Sequence, residues 1–421
     1  MALQKGTQAV TGLITALLVS RLLSPAEQGF YYTLGSLMSG YVLLDLGLSS
    51  LITQKSAQYS LGLSLNPSNW SPREYKQGAQ FLGLIIWTFK TYRRIACLAL
   101  VLLLPAGAAF LGFSKQGSTF DWQLPWLVMT ISVALSLPAQ GFLALLEGTG
   151  AIRQTYTTRL LHYGLGAVLS WFLITIHQSL YALAMPTLLT ALVVGWVYLR
   201  RYRAGLSRGL RLKEPLEWQG NLWTQQREVS ALWILNYTVL NLPVLLSFSF
   251  GEIERAGQLG LSIVISNVFG ALALSPLTAQ IPRLIHQIEC GERSLAKRGF
   301  IRGMLRFFML YLVGSVFGIL VLIMLQGHPF AWRVLPPESF AYLLLAFSAF
   351  HGFGASATYL RVSGNHRFAI SYLLSALLLL LGCTYFQNRG VMGTLGILNI
   401  VLWTLALIAL LKSYRPNSWL K

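Results

Sequence analysis

The ten residues YVLLDLGLSS (41–50) place one carboxylate, Asp45, inside an apolar run that extends from about Gly29 to Ile52 with no other formal charge. Whether that carboxylate is tolerable depends on what surrounds it. The chain is 55% hydrophobic and only 11% charged, with a mean hydropathy of +0.59. A soluble domain is about 45–50% apolar and about 25% charged. Apolar runs approaching 20 residues recur along the whole chain. Each is long enough to cross a ~30 Å hydrocarbon core as a helix. The sequence is that of a polytopic membrane protein, and Asp45 lies within a span.

Hydropathy predicts about twelve spans, at 7–23, 29–52, 93–112, 125–145, 159–177, 179–199, 229–249, 257–279, 304–325, 340–358, 368–386 and 391–411. The first run lacks a small-residue cleavage site and reads as a retained helix. With both termini cytoplasmic, 27 of the 32 Lys and Arg residues fall on the cytoplasmic side. The outer side keeps Arg21, Lys115, Arg255, Arg333 and Arg389. That bias supports the span count and an N-in, C-in topology. Trp122, Trp126 and Trp332 fall near outer span ends, where interfacial anchors are expected. The net charge of +19 does not indicate nucleic acid, because the basic residues sit in the gaps between spans. Cys97, Cys290 and Cys383 show neither disulfide nor zinc spacing.

The polar segment RRYRAGLSRGLRLKEPLEWQG (200–220) divides the chain. It suggests a lobe over 1–199, a basic cytoplasmic linker over 200–228 and a second lobe over 229–421. An internal repeat supports the division. SPAEQGFYYTLGSL (24–37) aligns with EIERAGQLGLSIVI (252–265), and the same offset carries LGLSSLITQKSAQ (46–58) onto LSPLTAQIPRLIH (274–286). Lys55 then overlies Arg283, and Ala273 takes the place of Asp45. A second echo pairs LEGTGAIRQ (146–154) with LRVSGNHRF (360–368), setting Arg153 over Arg367. Six helices per half give both halves one orientation, related by an axis along the membrane normal. The expected fold is all-α, two six-helix lobes in a parallel repeat.

RLLSPAEQGFYYTLGSLMSGYVLLDLGLSSLITQ (21–54) resembles the N-terminal signature of Wzx-type polysaccharide flippases. These are members of the multidrug/oligosaccharidyl-lipid/polysaccharide (MOP) exporter superfamily, whose fold is MATE-like. GEIERAGQLGLSIVISNVFGALALSPLTAQIPRLIHQ (251–287) is similar to the family's helix 7–8 corner, and ALLEGTGAIRQ (144–154) to its helix 4–5 loop. The resemblance implies two lobes around a central cavity lined by helices 1, 2, 7 and 8, working by alternating access in the bacterial inner membrane. It implies an undecaprenyl-diphosphate-linked glycan as cargo, with polysaccharide polymerase machinery as a downstream partner.

Chemistry-bearing motifs are sparse. No GxxxxGK[ST] phosphate loop and no HExxH occur, and the six histidines are scattered. Catalysis, a cofactor and a metal site are therefore not expected. Tyr41, Asp45, Ser49 and Thr53 recur every four residues, a polar ridge if the second span is a continuous helix. Asp45 then either couples transport to a proton or sodium ion or pins helices through neighbouring hydroxyls. Lys55, Arg94, Arg153, Arg283, Arg361 and Arg367 lie at cytoplasmic span ends, where they serve topology or collectively ring a cavity that attracts a diphosphate. Arg21 sits at the outer end of the first span, as an outer partner for the cargo or a cap on its helix C-terminus. Asn241 and Asn267 sit within spans, to hydrogen-bond sugar or a neighbouring helix. The expected function is a lipid-linked oligosaccharide flippase. A cation-coupled multidrug exporter and a lipid II flippase are the alternatives. The topology is testable by fusion: a fluorescent reporter after Lys421 should fold in the cytoplasm, and alkaline phosphatase after Ser118 should be active. The reverse pattern would overturn the orientation.

Overall fold

The structure, a computed structural model, describes residues 2–60, 63, 65, 78–114, 120–203, 223–362, 369–386 and 390–414. Arg367 and most of the 200–228 linker lie outside the described residues. Every regular element among the described residues is helical, as expected where hydrocarbon cannot satisfy backbone groups. In chain order they are α1 (Ala2–Leu22), α2 (Pro25–Met38), α3 (Val42–Asp45), α4 (Leu48–Ser60), α5 (Ala79–Phe113), α6 (Gln123–Gly148), α7 (Ile152–Thr175) and α8 (Ser179–Ala182). They continue with α9 (Met185–Val197), α10 (Trp223–Ser249), α11 (Ile253–Glu289), α12 (Arg293–Met324), α13 (Pro337–Val362), α14 (Ala369–Phe386) and α15 (Val391–Tyr414). Helical segments coincide with all of the expected spans. Seven are long and apolar enough to cross a membrane alone, and α2–α4 make an eighth, bent by 41°.

The chain forms two compact units. One contains Met1–Leu23 and Leu34–Trp233, the other Ser24–Thr33 and Ile234–Lys421. In the first, α6 is the central helix, 61% buried across its apolar window and packed on α4, α5 and α9. In the second, α13 is likewise 61% buried and packs on α11, α12 and α15. The preceding helices, α5 and α12, are only 17% and 22% buried. On α12, Leu305, Met309, Leu312, Val313 and Phe317 are exposed, a lipid-facing surface. The fourth and tenth spans thus play the same part in each unit, as the repeat requires.

The RLLSP signature has a local cause. Ser24 and Glu27 form a capping box: the Ser24 N–H donates to Glu27 Oε2 at 2.7 Å, and the Glu27 N–H to Ser24 Oγ at 3.2 Å. Pro25 occupies the first helical position, where a missing N–H costs nothing. One turn on, the α2 start packs within the second unit. Gln28 is 1% exposed, and its Nε2 donates to the carbonyls of Gly257 and Arg333, both at 3.0 Å. A Cβ on Gly29 would come within 2.0 Å of the Ile253 carbonyl oxygen. Gly257, the repeat equivalent of Gly29, faces it: a Cβ there would lie 2.8 Å from Gly29 N. The aligned glycines are therefore the crossing point of α2 and α11.

Three expectations are corrected. The second span is not one helix: it breaks at Leu46 and Gly47, both with positive φ. The third helix begins at Ala79, so Lys90, Arg93 and Arg94 lie within it. Long basic side chains extend away from apolar surroundings while their backbone stays helical, so the helix begins well ahead of the span that hydropathy places at 93–112. Trp122 and Trp126 are 8% and 2% exposed, packed inside the bundle, with Trp126 Nε1 donating to the Leu104 carbonyl. Trp332 alone is open, at 74%. The GxxxG at 314–318 packs within the chain, Gly318 against Phe269. Gly29→Ala is expected to lower the thermal unfolding midpoint in detergent, an overpacking cost of about 1–3 kcal/mol. Gly12→Ala, with open space at its Cβ, should not. Equal midpoints for the two variants would contradict the crossing.

Candidate functional site

The break in the second span is built around Asp45. Leu46, with φ 46° and ψ 34°, is left-handed, which L residues adopt only under constraint. Gly47, with φ +72°, carries the chain into α4. A Cβ at Gly47 would fall 2.2 Å from Trp233 Nε1, so the site admits only glycine. The Asp45 side chain, 7% exposed, receives four donors. Tyr92 OH from α5 donates to Oδ1 at 2.6 Å, and Ser49 Oγ to Oδ2 at 3.2 Å. The backbone N–H groups of Gly47 and Ser49 complete the set. The carboxylate therefore caps the first turn of α4, where unpaired N–H groups and the helix dipole favour an anion. Among the described residues no Lys or Arg pairs with it. The polar ridge survives because the Ser49–Asp45 bond bridges the break.

Beside this network the first unit has an open cavity of about 540 Å³. Tyr41, Ser49, Ser50, Thr53 and Gln54 line it from the second span, and Gln140 and Glu147 from α6. Arg159, His162 and Tyr163 contribute from α7, Thr187 and Thr190 from α9. Its one ion pair among the described residues, Arg159 Nη2–Glu147 Oε2 at 2.7 Å, is partly exposed, with side chains 26% and 23% accessible. Tyr156 OH donates to Glu147 Oε1 at 3.0 Å. Gln140 hydrogen-bonds Tyr41. His162 is fixed by its contact with the Thr158 carbonyl, Nδ1···O 3.0 Å, and its ring lies tilted against that of Tyr163, centroids 4.3 Å apart. The lining combines hydroxyl, amide and aromatic groups with apolar Leu143, Ala144 and Pro186, and its one carboxylate is paired with Arg159.

The expected site residues are dispersed. Asp45 belongs to this network. Lys55, on α4, is half-buried, donates to Gln58 Oε1 at 3.0 Å and lies over the Tyr59 ring. Arg21, Arg94, Arg153 and Arg283 are exposed. Asn241 Nδ2 donates to the Tyr237 carbonyl one turn back, and Asn267 is half-buried on α11. Sequence reasoning missed Gln140, Glu147, Arg159, His162 and Tyr163. The signal was present in their spacing. Gln140 and Glu147 are seven apart on one face of α6, and Arg159, His162 and Tyr163 follow i, i+3, i+4 on α7.

No protein-family model matches the chain, and no curated protein matches it. Solved structures match over nearly its whole length. An inward-facing multidrug resistance MATE-family transporter of the MOP superfamily superposes with a TM-score of 0.66 at 13% identity, covering 97% of this chain and 94% of its own. A point mutant of the Vibrio cholerae MATE transporter VcmN gives 0.59 at 14% identity, covering 97% and 93%. A MOP-superfamily transporter from Pyrococcus furiosus, described by a binding pocket of reversed polarity, gives 0.53 at 14%, covering 98% and 92%. The chain has the MATE fold.

Gly47→Ala is expected to cost about 1–3 kcal/mol, from the left-handed backbone and the Trp233 contact. Trp233→Ala in the same chain should recover part of the lost unfolding midpoint. An unchanged midpoint in Gly47→Ala would refute the break.

Proposed function

We propose that the chain is a flippase for lipid-diphosphate-linked oligosaccharides, the undecaprenyl-linked class of the bacterial inner membrane, working by alternating access. One observation carries this reading: the chemistry of the 540 Å³ cavity lining. Seven hydroxyl or amide side chains (Ser49, Ser50, Thr53, Gln54, Gln140, Thr187, Thr190) meet two tyrosine rings there. A sugar needs such neutral donors and acceptors, because its own hydroxyls leave water on entry. It also needs flat apolar faces for its C–H surfaces. The size falls within the usual ~300–1,000 Å³ of a ligand site.

A multidrug exporter, the activity named for structural relatives, is the competing reading. A lipophilic cation calls for a free carboxylate and a mostly apolar lining. Here Glu147 is held by Arg159 and Tyr156. Asp45 is already engaged by four donors.

The test is genetic and chemical. In cells deleted for the chain, lipid-linked oligosaccharide should accumulate and surface polysaccharide should disappear, with unchanged susceptibility to cationic drugs. Complementation with Gln140→Ala or Tyr163→Ala at normal abundance should cut translocation at least tenfold, roughly the loss of one good contact to a buried polar ligand. Intact polysaccharide with raised drug susceptibility would overturn the reading in favour of the exporter.

A further inference from the structure

Among the described residues, nine buried side-chain polar atoms of the second unit lack a hydrogen-bond partner, and three of them lie on the paired helices α12 and α13: His351 Nε2 on α13, and Tyr311 OH and Ser315 Oγ on α12. Each such atom costs about 1–3 kcal/mol, so each needs a use. Tyr311 and Ser315 are only 3% and 7% exposed and lie one turn apart on one helix. The His351 ring is half-buried and surrounded by aromatic rings, with centroids at 5.4 Å (Phe350), 6.0 Å (Phe347) and 6.3 Å (Tyr311). Its Nε2 reaches the bare backbone of Gly270 on α11, where a Cβ would come within 2.0 Å. That glycine makes room for the ring. Any larger residue would expel it.

Among the described residues, the helices packed on α13 bring no fixed charge beside His351. On α11 no ionisable side chain occurs between Arg255 and Arg283. Tyr311 is the one ionisable residue on α12 beyond Arg306, and α15 has none from Val391 to Leu411. The neighbouring α14 offers Tyr372, Cys383 and Tyr385. On α13 itself Glu338, Tyr342, Tyr359 and Arg361 lie at least two turns away. Imidazole changes charge near neutral pH, and aromatic rings within about 6 Å attract the cation it becomes. An ionisable group inside a span is otherwise an unexplained expense.

We propose that His351 is a proton-binding site of the second unit. The neutral ring takes one proton from water and becomes imidazolium. In the protonated state the ring N–H turns to the Tyr311 hydroxyl, which has no partner in this structure, and Phe347 and Phe350 lie beside the charge. Release returns the same proton to water, so the step needs no other reactant. Asp45 has both carboxylate oxygens in hydrogen bonds, whereas His351 Nε2 has no hydrogen-bond partner. The inference does not depend on the cargo.

The test uses the full chain with ¹⁵N-labelled histidine in lipid nanodiscs, titrated with acid, the His351 signal being assigned by its loss in His351→Gln. The wild-type signal should pass reversibly from neutral ring to imidazolium while the protein stays folded. Tyr311→Phe, which removes the acceptor but keeps the ring, should lower proton affinity about tenfold, the worth of one charge-assisted hydrogen bond. A His351 signal that stays neutral through pH 5 in folded protein would overturn the site. So would a titration that Tyr311→Phe leaves unmoved, since that is the behaviour of an ordinary accessible histidine.

Discussion

A carboxylate can remain inside a membrane-spanning bundle only if its oxygens find donors to replace water. Asp45 finds four, two of them backbone N–H groups, Gly47 just before α4 and Ser49 in its first turn. Those backbone donors exist because the second span is broken immediately after Asp45, leaving the first turn of α4 without carbonyl partners. The break supplies the donors, and the carboxylate stabilises the break. From this follow the positions of Ser49, Ser50, Thr53 and Gln54, which the bend turns into the cavity of the first unit. The packing of Trp233 on Gly47 secures the other side of the same bend.

The fold was largely legible in the sequence because the membrane restricts the choices. Twelve apolar runs, a biased charge distribution and two repeat segments left one architecture, and the MATE-like superposition agrees with it. The repeat was more informative than its weak identity suggested: Gly29 and Gly257, aligned by it, are the residues that meet. The capping box at Ser24 and Glu27 was equally readable, since S-x-x-E with proline at the first helical position is a local signal.

The site was legible only in part. The ridge Tyr41, Asp45, Ser49 and Thr53 pointed to the right surface, although it presumed a continuous helix. A break at Leu46 could not be read there, because leucine seldom adopts a positive φ and does so here only under the constraint of its surroundings. The basic residues at span ends drew attention by charge, yet Arg21, Arg94, Arg153 and Arg283 are exposed. The polar lining that matters comes instead from neutral residues on α6, α7 and α9, which hydropathy averages away. Charge is conspicuous in a membrane sequence, but hydrogen-bonding capacity without charge builds this cavity.

The central claim is that the Asp45 carboxylate holds the broken span through Tyr92. A double-mutant cycle tests it most directly: thermal unfolding in detergent for Asp45→Asn, Tyr92→Phe and both together. Partners in one buried network show non-additive energies of about 0.5–3 kcal/mol, so the double variant should unfold much as the more damaged single variant does. Losses that simply add would mean the two side chains act independently, and would contradict the account.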